Sequence, residues 1–395
     1  MKVQTEPRER RFTPDGSDAV ETHLARTCER VRQAAQALVP PRKIEGLVLA
    51  GGYGRGQGGV LRTETGDQPY NDLEFYLFLR GNRCWNEFRH SERLRLLGER
   101  LSHQAGVHVE FKIDSLARLR RSPVSMFTYD LVSGHRILSG DATMFDGCEH
   151  HRQANQIPLC EATRLLFNRF TGLLFVKDLL KQRFLTAEQA DFIARNLAKA
   201  QLAFGDAILT VSGRYHWSCL ERHERLTQLT ASAAPAGPVF DSSLLEKIKD
   251  HHAAGVEFKL HPRPGLKTAE EFRQEHQELA GLALRVWLWL ESHRLHAPFS
   301  SALDYGLSRA RKCPETAAWR NFLVNLRSFR VRALGPMAFR YPRERLFNAL
   351  SLLLWTGEEL KEPEVARRLR RQLLTQTAEW NELAAAYKRI WLRYG

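Results

Sequence analysis

Asn71-Asp72-Leu73-Glu74-Phe75-Tyr76-Leu77 reads as an apolar strand that carries two carboxylates one residue apart. Side chains at i and i+2 of a strand share a face. Asp72 and Glu74 therefore point one way, and Leu73 and Phe75 the other. Upstream, Leu47-Val48-Leu49-Ala50-Gly51-Gly52-Tyr53-Gly54-Arg55-Gly56 runs an apolar strand into a glycine-dense turn. Co-facing carboxylates beside a turn that lets phosphate approach are what a magnesium–nucleotide site needs. A third acid, Glu110, lies in Val107-His108-Val109-Glu110-Phe111-Lys112-Ile113, where apolar and polar residues alternate. If this strand pairs beside the first, Glu110 joins Asp72 and Glu74. Three such carboxylates repel one another unless bound cations resolve the repulsion.

In these residues the chain resembles the polymerase-beta-like nucleotidyltransferase superfamily. Its pattern is a hydrophobic residue with Gly-Gly or Gly-Ser, a spacer, an acid–hydrophobic–acid triplet, and later a lone acid between hydrophobic residues. Ala50-Gly51-Gly52, Asp72-Leu73-Glu74 and Val109-Glu110-Phe111 supply the three pieces in order. The resemblance covers residues 1–145. The spacer after Gly52 is longer than usual, with Thr63-Glu64-Thr65-Gly66-Asp67-Gln68-Pro69 reading as an inserted loop, and the second acid is Glu.

The resemblance implies transfer of a nucleoside monophosphate from a nucleoside triphosphate, ATP among the candidates, to an acceptor, with pyrophosphate leaving. Asp72 and Glu74 are expected to hold two Mg²⁺ ions (Mn²⁺ as substitute), with Glu110 as ligand or general base. The Gly51 and Gly52 amides, at a helix N-terminus, are expected to cradle phosphate. Tyr53 and Arg55 belong to the same nucleotide-binding turn, with a solvated turn arginine as the alternative for Arg55. Lys199 and Tyr215, in or beside apolar helices, are candidates for triphosphate and base or acceptor contacts. The rival for Lys199 is a structural ion pair with Asp206.

Other motifs point elsewhere and fall short. Gly54-Arg55-Gly56-Gln57-Gly58-Gly59 contains GxGxxG, but a dinucleotide fold places one acid at the end of the second strand, about 20 residues on. Here a pair of acids stands at the start of that strand. No GxxxxGK[ST], HExxH or GxSxG is present, which argues against P-loop, zincin and serine-hydrolase chemistry. Cys148-Glu149-His150-His151 with Cys160 matches no common zinc spacing. Arg222-His223-Glu224-Arg225 reads as a solvated helix face.

The chain has 395 residues, 43% hydrophobic, enough for two or three domains with a large core. Six scattered cysteines without CxxC suit a reducing cytosol, and residues 1–11 are charged without the apolar core of a signal peptide. A cytoplasmic location is expected, with no membrane partner: the longest apolar run, Leu282–Leu290, is too short to span a bilayer and reads as a buried helix. The formal charge of +14 suits polyanionic partners. Lys312 and the arginines from Arg309 to Arg345, Arg332 included, concentrate part of it. A solvated helix face explains them as well, so nucleic acid stays an open partner.

Periodicity gives the organisation. An amphipathic helix is expected over 17–38, with Ser17 and Asp18 as cap candidates. Strands are expected over 44–50, 73–80 and 107–113. Between the last two a helix should bury Trp85, Phe88, Leu94, Leu97 and Leu101. A short helix near 126–131 and a short strand over 135–139 complete a small mixed sheet with helices on one side, an α+β nucleotidyltransferase-like domain over 1–150. Residues 155–395 read as mainly α-helical, in two lobes (155–230 and 240–395) around a linker at 230–238. Three classes of function follow: a metal-dependent nucleotidyltransferase acting on a small molecule or protein, an enzyme that extends RNA or makes an oligonucleotide signal, and a nucleotide-binding regulator without catalysis.

Overall fold

The run Leu73 to Leu79 is apolar at every position except Glu74, the pattern of a strand covered on both faces. The computed structural model describes residues 11–230, 241–263, 267–330, 335 and 337–395. Residues 1–10, the linker from 231 onward and Arg332 lie outside them. In chain order the first elements are α1 (Asp18–Leu38), β1 (Ile44–Leu49), α2 (Gly51–Gly54), β2 (Val60–Thr63), β3 (Gly66–Pro69), β4 (Leu73–Leu79), α3 (Arg83–Ala105), β5 (Val109–Asp114), α4 (Leu116–Leu119), α5 (Met126–Ser133) and β6 (Arg136–Gly140). Then follow α6 (Leu159–Leu179), α7 (Ala187–Val211), α8 (Cys219–Thr227), α9 (Ser242–Leu260), α10 (Ala269–Leu295), α11 (Ala302–Leu307), α12 (Ala318–Phe329), α13 (Pro342–Trp355), α14 (Pro363–Leu373) and α15 (Trp380–Tyr394).

The fold is α+β, a small mixed sheet with a largely helical remainder. The sheet has the order β5-β4-β1-β6. β4 pairs parallel with β5 and antiparallel with β1, which pairs antiparallel with β6. Parallel neighbours need a crossover, and α3 supplies it. Asn82 caps α3 by accepting from the Trp85 amide, and Gly106 ends it at φ 71°, a left-handed conformation that glycine adopts freely.

One sheet face packs Leu47, Leu49, Leu73, Phe75, Leu77 and Val109 against α1 and α3. The other packs Val48, Tyr76 and Phe78 against Leu116, Leu119, Leu131, Val132, Met144 and Phe145. Both faces are therefore covered, where the sequence suggested helices on one side only. α4 and α5, four and eight residues long, are too short to announce a second layer.

Two other expectations change. α3 buries Asn86, His90, Leu94, Leu97, Leu101 and Ala105, spaced by three and four, while Trp85 and Phe88 are exposed. The aromatic side chains had placed the stripe on the wrong side of its first turns. Asn86 is tolerated inside because its amide donates to the Arg80 carbonyl at 3.1 Å. The expected inserted loop at 63–69 belongs to a hairpin, β2–β3, whose Arg62 bridges Asp67 at 2.8 Å and Asp15 at 2.9 Å.

The chain divides into two compact units. The first comprises the residues up to Pro158 with Ser212–Gln228 and Val256–Arg263; the second comprises Leu159–Val211, Leu229–Gly255 and Pro264–Gly395. The stretch 212–228 thus belongs with the sheet, against the expected boundary at 150–155. Polar bonds that no periodicity reports hold it there. Gln57 donates to the Ser218 hydroxyl at 2.5 Å and accepts from the Cys219 amide at 2.9 Å.

In the second unit α6 packs against α7, α10 and α13, and the apolar run of α10 is buried as expected, Trp287 included. No helix among the described residues is long and apolar enough to cross a membrane. Part of the basic region is structural and not a solvated face: Lys312 and Arg345 are buried. Arg345 donates to the Arg371 carbonyl at 3.1 Å, and the Lys312 ammonium lies 4.4 Å from the Tyr305 ring centre.

Candidate active site

The parallel ladder sets Glu74 directly opposite Glu110, and Tyr76 opposite Lys112. The register follows from the reverse face, where Phe75 and Phe111, the intervening pair, stack at 5.7 Å. Because the side-chain period is two, burying the phenylalanines turns both carboxylates the other way. Asp72 immediately precedes β4. It is exposed, and it makes no hydrogen bond or ion pair with a described residue. The structure thus brings Glu74 and Glu110 together and leaves Asp72 ahead of them at the strand entrance. Among the described residues no three His, Cys, Asp or Glu side chains form a ready-made metal cage, so the three acids do not converge as the spacing suggested.

A lysine bridges the two acids that do meet. Lys112 Nζ lies 3.1 Å from Glu110 Oε2 and 3.7 Å from Glu74 Oε2, and 5.6 Å from the Tyr76 ring centre. Burial alone would pull this ammonium down, but the neighbouring Tyr76, Glu74 and Glu110 outweigh it and hold Lys112 above the ordinary lysine range. The same burial pushes the Tyr76 hydroxyl up to about 12. Lys112 was visible in the sequence as the residue two beyond Glu110. Its role was not, because only the strand register reveals which carboxylates it faces.

The glycine turn meets Glu74. The Ala50 amide donates to the Glu74 carbonyl at 2.9 Å. A Cβ on Gly51, which sits at φ +64°, would stand 3.2 Å from Glu74 Oε1. The first bond inside the turn runs from the Gly54 amide to the Ala50 carbonyl at 3.1 Å, so the Gly51 and Gly52 amides precede it. α2 has only four residues; the aligned dipole of a longer helix, assumed in the sequence reading, is not available. A Cβ on Gly52 would meet the Gln57 carbonyl at 3.0 Å, so this glycine also serves the turn itself.

Tyr53 is not placed to touch a nucleotide. It is fully buried; its hydroxyl donates to the Gly59 carbonyl at 2.8 Å and accepts from the Tyr70 and Asn71 amides at 2.8 and 3.3 Å. It ties the turn to the residues that lead into Asp72. Arg55 is also engaged, pairing with Asp130 at 3.0 Å and donating to the Trp217 carbonyl at 3.1 Å. Both the phosphate contact and the solvated-turn alternative give way to a half-buried ion pair.

Tyr215 joins the same cluster. Its buried hydroxyl donates to Asp130 Oδ2 at 3.2 Å, and the Arg222 guanidinium stands 5.0 Å from its ring. Arg222 is buried, against the solvated face expected for Arg222–Arg225. Lys259, missed in the sequence because nothing in its helix marks it, makes no ion pair with a described carboxylate. Burial, with the Arg222 and Arg55 cations beside it, pulls Lys259 below the ordinary lysine range against the opposing influence of Cys219. Its carbonyl abuts Gly59, where a Cβ would come within 2.6 Å. Lys199 stands on α7 in the second unit and is exposed. Asp206, its suggested partner, faces His252 at 3.2 Å.

A cavity of about 560 Å³ runs along β5, lined among others by Glu110, Lys112, Tyr76, Phe127, Arg83 and Arg118. Glu110 therefore borders open space on one side and Glu74 on the other. The donor chemistry suits a hard divalent ion: carboxylate oxygens from Asp72 and from the Oε1 side of Glu74, which faces the glycine turn. No family model, curated protein or solved structure matches the chain, so the family resemblance rests on the motif residues alone.

Proposed function

We propose that the chain is a metal-dependent nucleotidyltransferase that moves a nucleoside monophosphate from a nucleoside triphosphate to an acceptor hydroxyl or similar group, releasing pyrophosphate. The observation that carries this reading is the pairing of Glu74 with Glu110 in register, with Glu74 Oε1 against Gly51. Asp72 and Glu74 are the residues that would hold Mg²⁺, which supplies neutralisation of phosphate charge when bound. The Gly51 and Gly52 amides, which precede the first bond of the turn, donate to phosphate oxygens. Glu110, on the cavity side, orients the acceptor and accepts its proton. Positioning and electrostatics supply most of the rate in phosphoryl chemistry of this kind. A cytoplasmic location, which the scattered cysteines suit, is part of the proposal.

One observation favours a second reading, a nucleotide-binding regulator without catalysis: Lys112 already neutralises part of the acidic pair. The two are separated by incubating the protein with each α-³²P-labelled nucleoside triphosphate and Mg²⁺ or Mn²⁺, with and without cell extract, beside Asp72→Asn. Label transferred by wild type alone supports the enzyme, and the labelled product names the acceptor class. Metal-dependent binding without transfer supports the regulator. Neither binding nor transfer overturns both.

A further inference from the structure

We propose that Lys112 takes the place of one of the two cations expected at this carboxylate site, so that the protein binds a single divalent ion there. The inference rests on the nucleotidyltransferase reading and deepens it.

The two oxygens of Glu74 are turned to different neighbours. Oε1 faces Gly51, where a Cβ would stand at 3.2 Å. Oε2 faces the Lys112 ammonium at 3.7 Å, and the same ammonium stands 3.1 Å from Glu110 Oε2. The only carboxylates opposed across the β4–β5 ladder are thus already bridged by a cation that is part of the chain. A divalent ion bridging Glu74 and Glu110 would need its oxygens at about 2.1 Å, within the space the ammonium fills. Two cations in that space repel each other. Lys112 is also not a loosely held surface lysine: it grows from β5 directly opposite Tyr76, and its ammonium lies 5.6 Å from that ring.

The remaining position has the opposite character. Asp72 has no hydrogen bond or ion pair with a described residue, and Glu74 Oε1 points to the Gly51 turn. Both are available to an ion that arrives with a triphosphate. On the acceptor side, where Glu110 and Lys112 line the cavity, the fixed ammonium supplies the positive charge. The acceptor is then oriented by Lys112 and deprotonated by Glu110.

The test counts ions. Full-length wild type, Lys112→Met and Lys112→Gln are dialysed against Mn²⁺ with one equivalent of the non-transferable analogue α,β-methylene-ATP. Bound Mn²⁺ is read by electron paramagnetic resonance, and circular dichroism confirms folding. One ion per wild-type chain and two per chain in either variant is the expected result. Two ions in wild type, or one in both folded variants, overturns the lysine assignment and leaves the nucleotidyltransferase reading standing. No bound ion in any of the three chains removes the reading and the inference together.

Discussion

Glu74 lies opposite Glu110 across the parallel β4–β5 pair, with Phe75 and Phe111 stacked at 5.7 Å on the reverse face of the same ladder. The apolar stack fixes the register, and the register fixes the acids. Glu110→Gln keeps the shape, removes one of two opposed charges and leaves the stack untouched. Like charges directly opposite each other destabilise a sheet, so the variant should melt within about 2 °C of wild type. Nucleotidyl transfer should fall about 10²–10³-fold, the scale of losing one preorganised group at a reacting centre. Thermal melting and the labelled-nucleotide assay on one preparation check both. A melting temperature many degrees lower would make Glu110 a structural acid.

Tyr53 ties the glycine turn to the entrance of β4 through its buried hydroxyl. Tyr53→Phe removes the hydroxyl from the Gly59 carbonyl and from the Tyr70 and Asn71 amides; the Tyr70 amide still donates to the Gly59 carbonyl at 3.3 Å, so the loss falls mainly on the Asn71 amide. Leaving buried polar groups unsatisfied costs about 1–3 kcal/mol. Urea denaturation should show a loss of that size. Because Asp72 follows Asn71, transfer activity should drop as well, although Tyr53 does not face the site.

Gly54 is held by a close approach and not by its dihedral angles. A Cβ there would lie 2.1 Å from the Leu49 carbonyl oxygen, a rigid backbone atom at the end of β1. Gly54→Ala must push the turn away from the strand, with a cost of about 3 kcal/mol or more, at the high end for overpacking. Gly66 has φ +119° but nothing within 4 Å of its added Cβ. Gly66→Ala should be the milder variant, reporting backbone strain alone. Comparable melting temperatures for the two would contradict the steric account.

Much of this arrangement was readable beforehand. The strand leading into Gly51 and the strands carrying Glu74 and Glu110 declared themselves because period-two and continuous apolar runs are direct imprints of burial. The α+β class and the positions of the long helices follow from the same imprint. What could not be read was pairing: that Lys112 reaches back to Glu74 requires the β4–β5 register. Tyr215 reaches Asp130 across 85 residues of sequence, and Arg222 joins them from the helix that follows Tyr215. Tyr53 shows a related limit. A tyrosine in a glycine turn looks like a ligand contact, and only its burial reveals three backbone partners. Lys312 and Arg345 show the converse, cations that a charge count assigns to the surface although the fold buries them.

Glu291 anchors the second unit. It is fully buried and bonds Arg294 through both oxygens at 2.8 and 2.7 Å, with Thr163 and Tyr305 donating at 2.7 Å each. Burial pulls the Arg294 guanidinium down, but Glu291 overrides it and holds the group above the usual arginine range. Glu291→Leu leaves that guanidinium buried without its counter-ion, which costs about 3–5 kcal/mol. Glu291→Leu combined with Arg294→Met removes both charges and should recover a large part of the loss. Chemical denaturation of the wild type, single and double variants checks the cycle.

Stability should fall in mild acid. His90 is buried with no hydrogen bond to either ring nitrogen. Burial first, and then the cations of Arg89, Arg93 and Lys43, hold its pKa below the ordinary value. Burial likewise lowers His276, against the pull of its bond to the Leu173 carbonyl at 2.9 Å. For both, the unfolded chain takes up protons near pH 6.5 while the folded chain resists until lower pH. Unfolding therefore binds protons in that window, and stability decreases as pH drops through it. Above about pH 6.5 both states are neutral and these two groups contribute no slope. His261 opposes them: burial lowers it, but its bonds to Glu257 and Asp15 raise it overall, so its stabilisation is present in acid and lost as pH rises through its folded value. Burial also lowers His151, His216 and His251, so five lowered histidines against one raised predict a urea midpoint that declines from pH 7 to pH 5. Changing His90 to the apolar, similarly sized His90→Leu should flatten that decline, because the residue no longer titrates in either state. A decline of unchanged steepness in His90→Leu would assign the acid sensitivity to other groups.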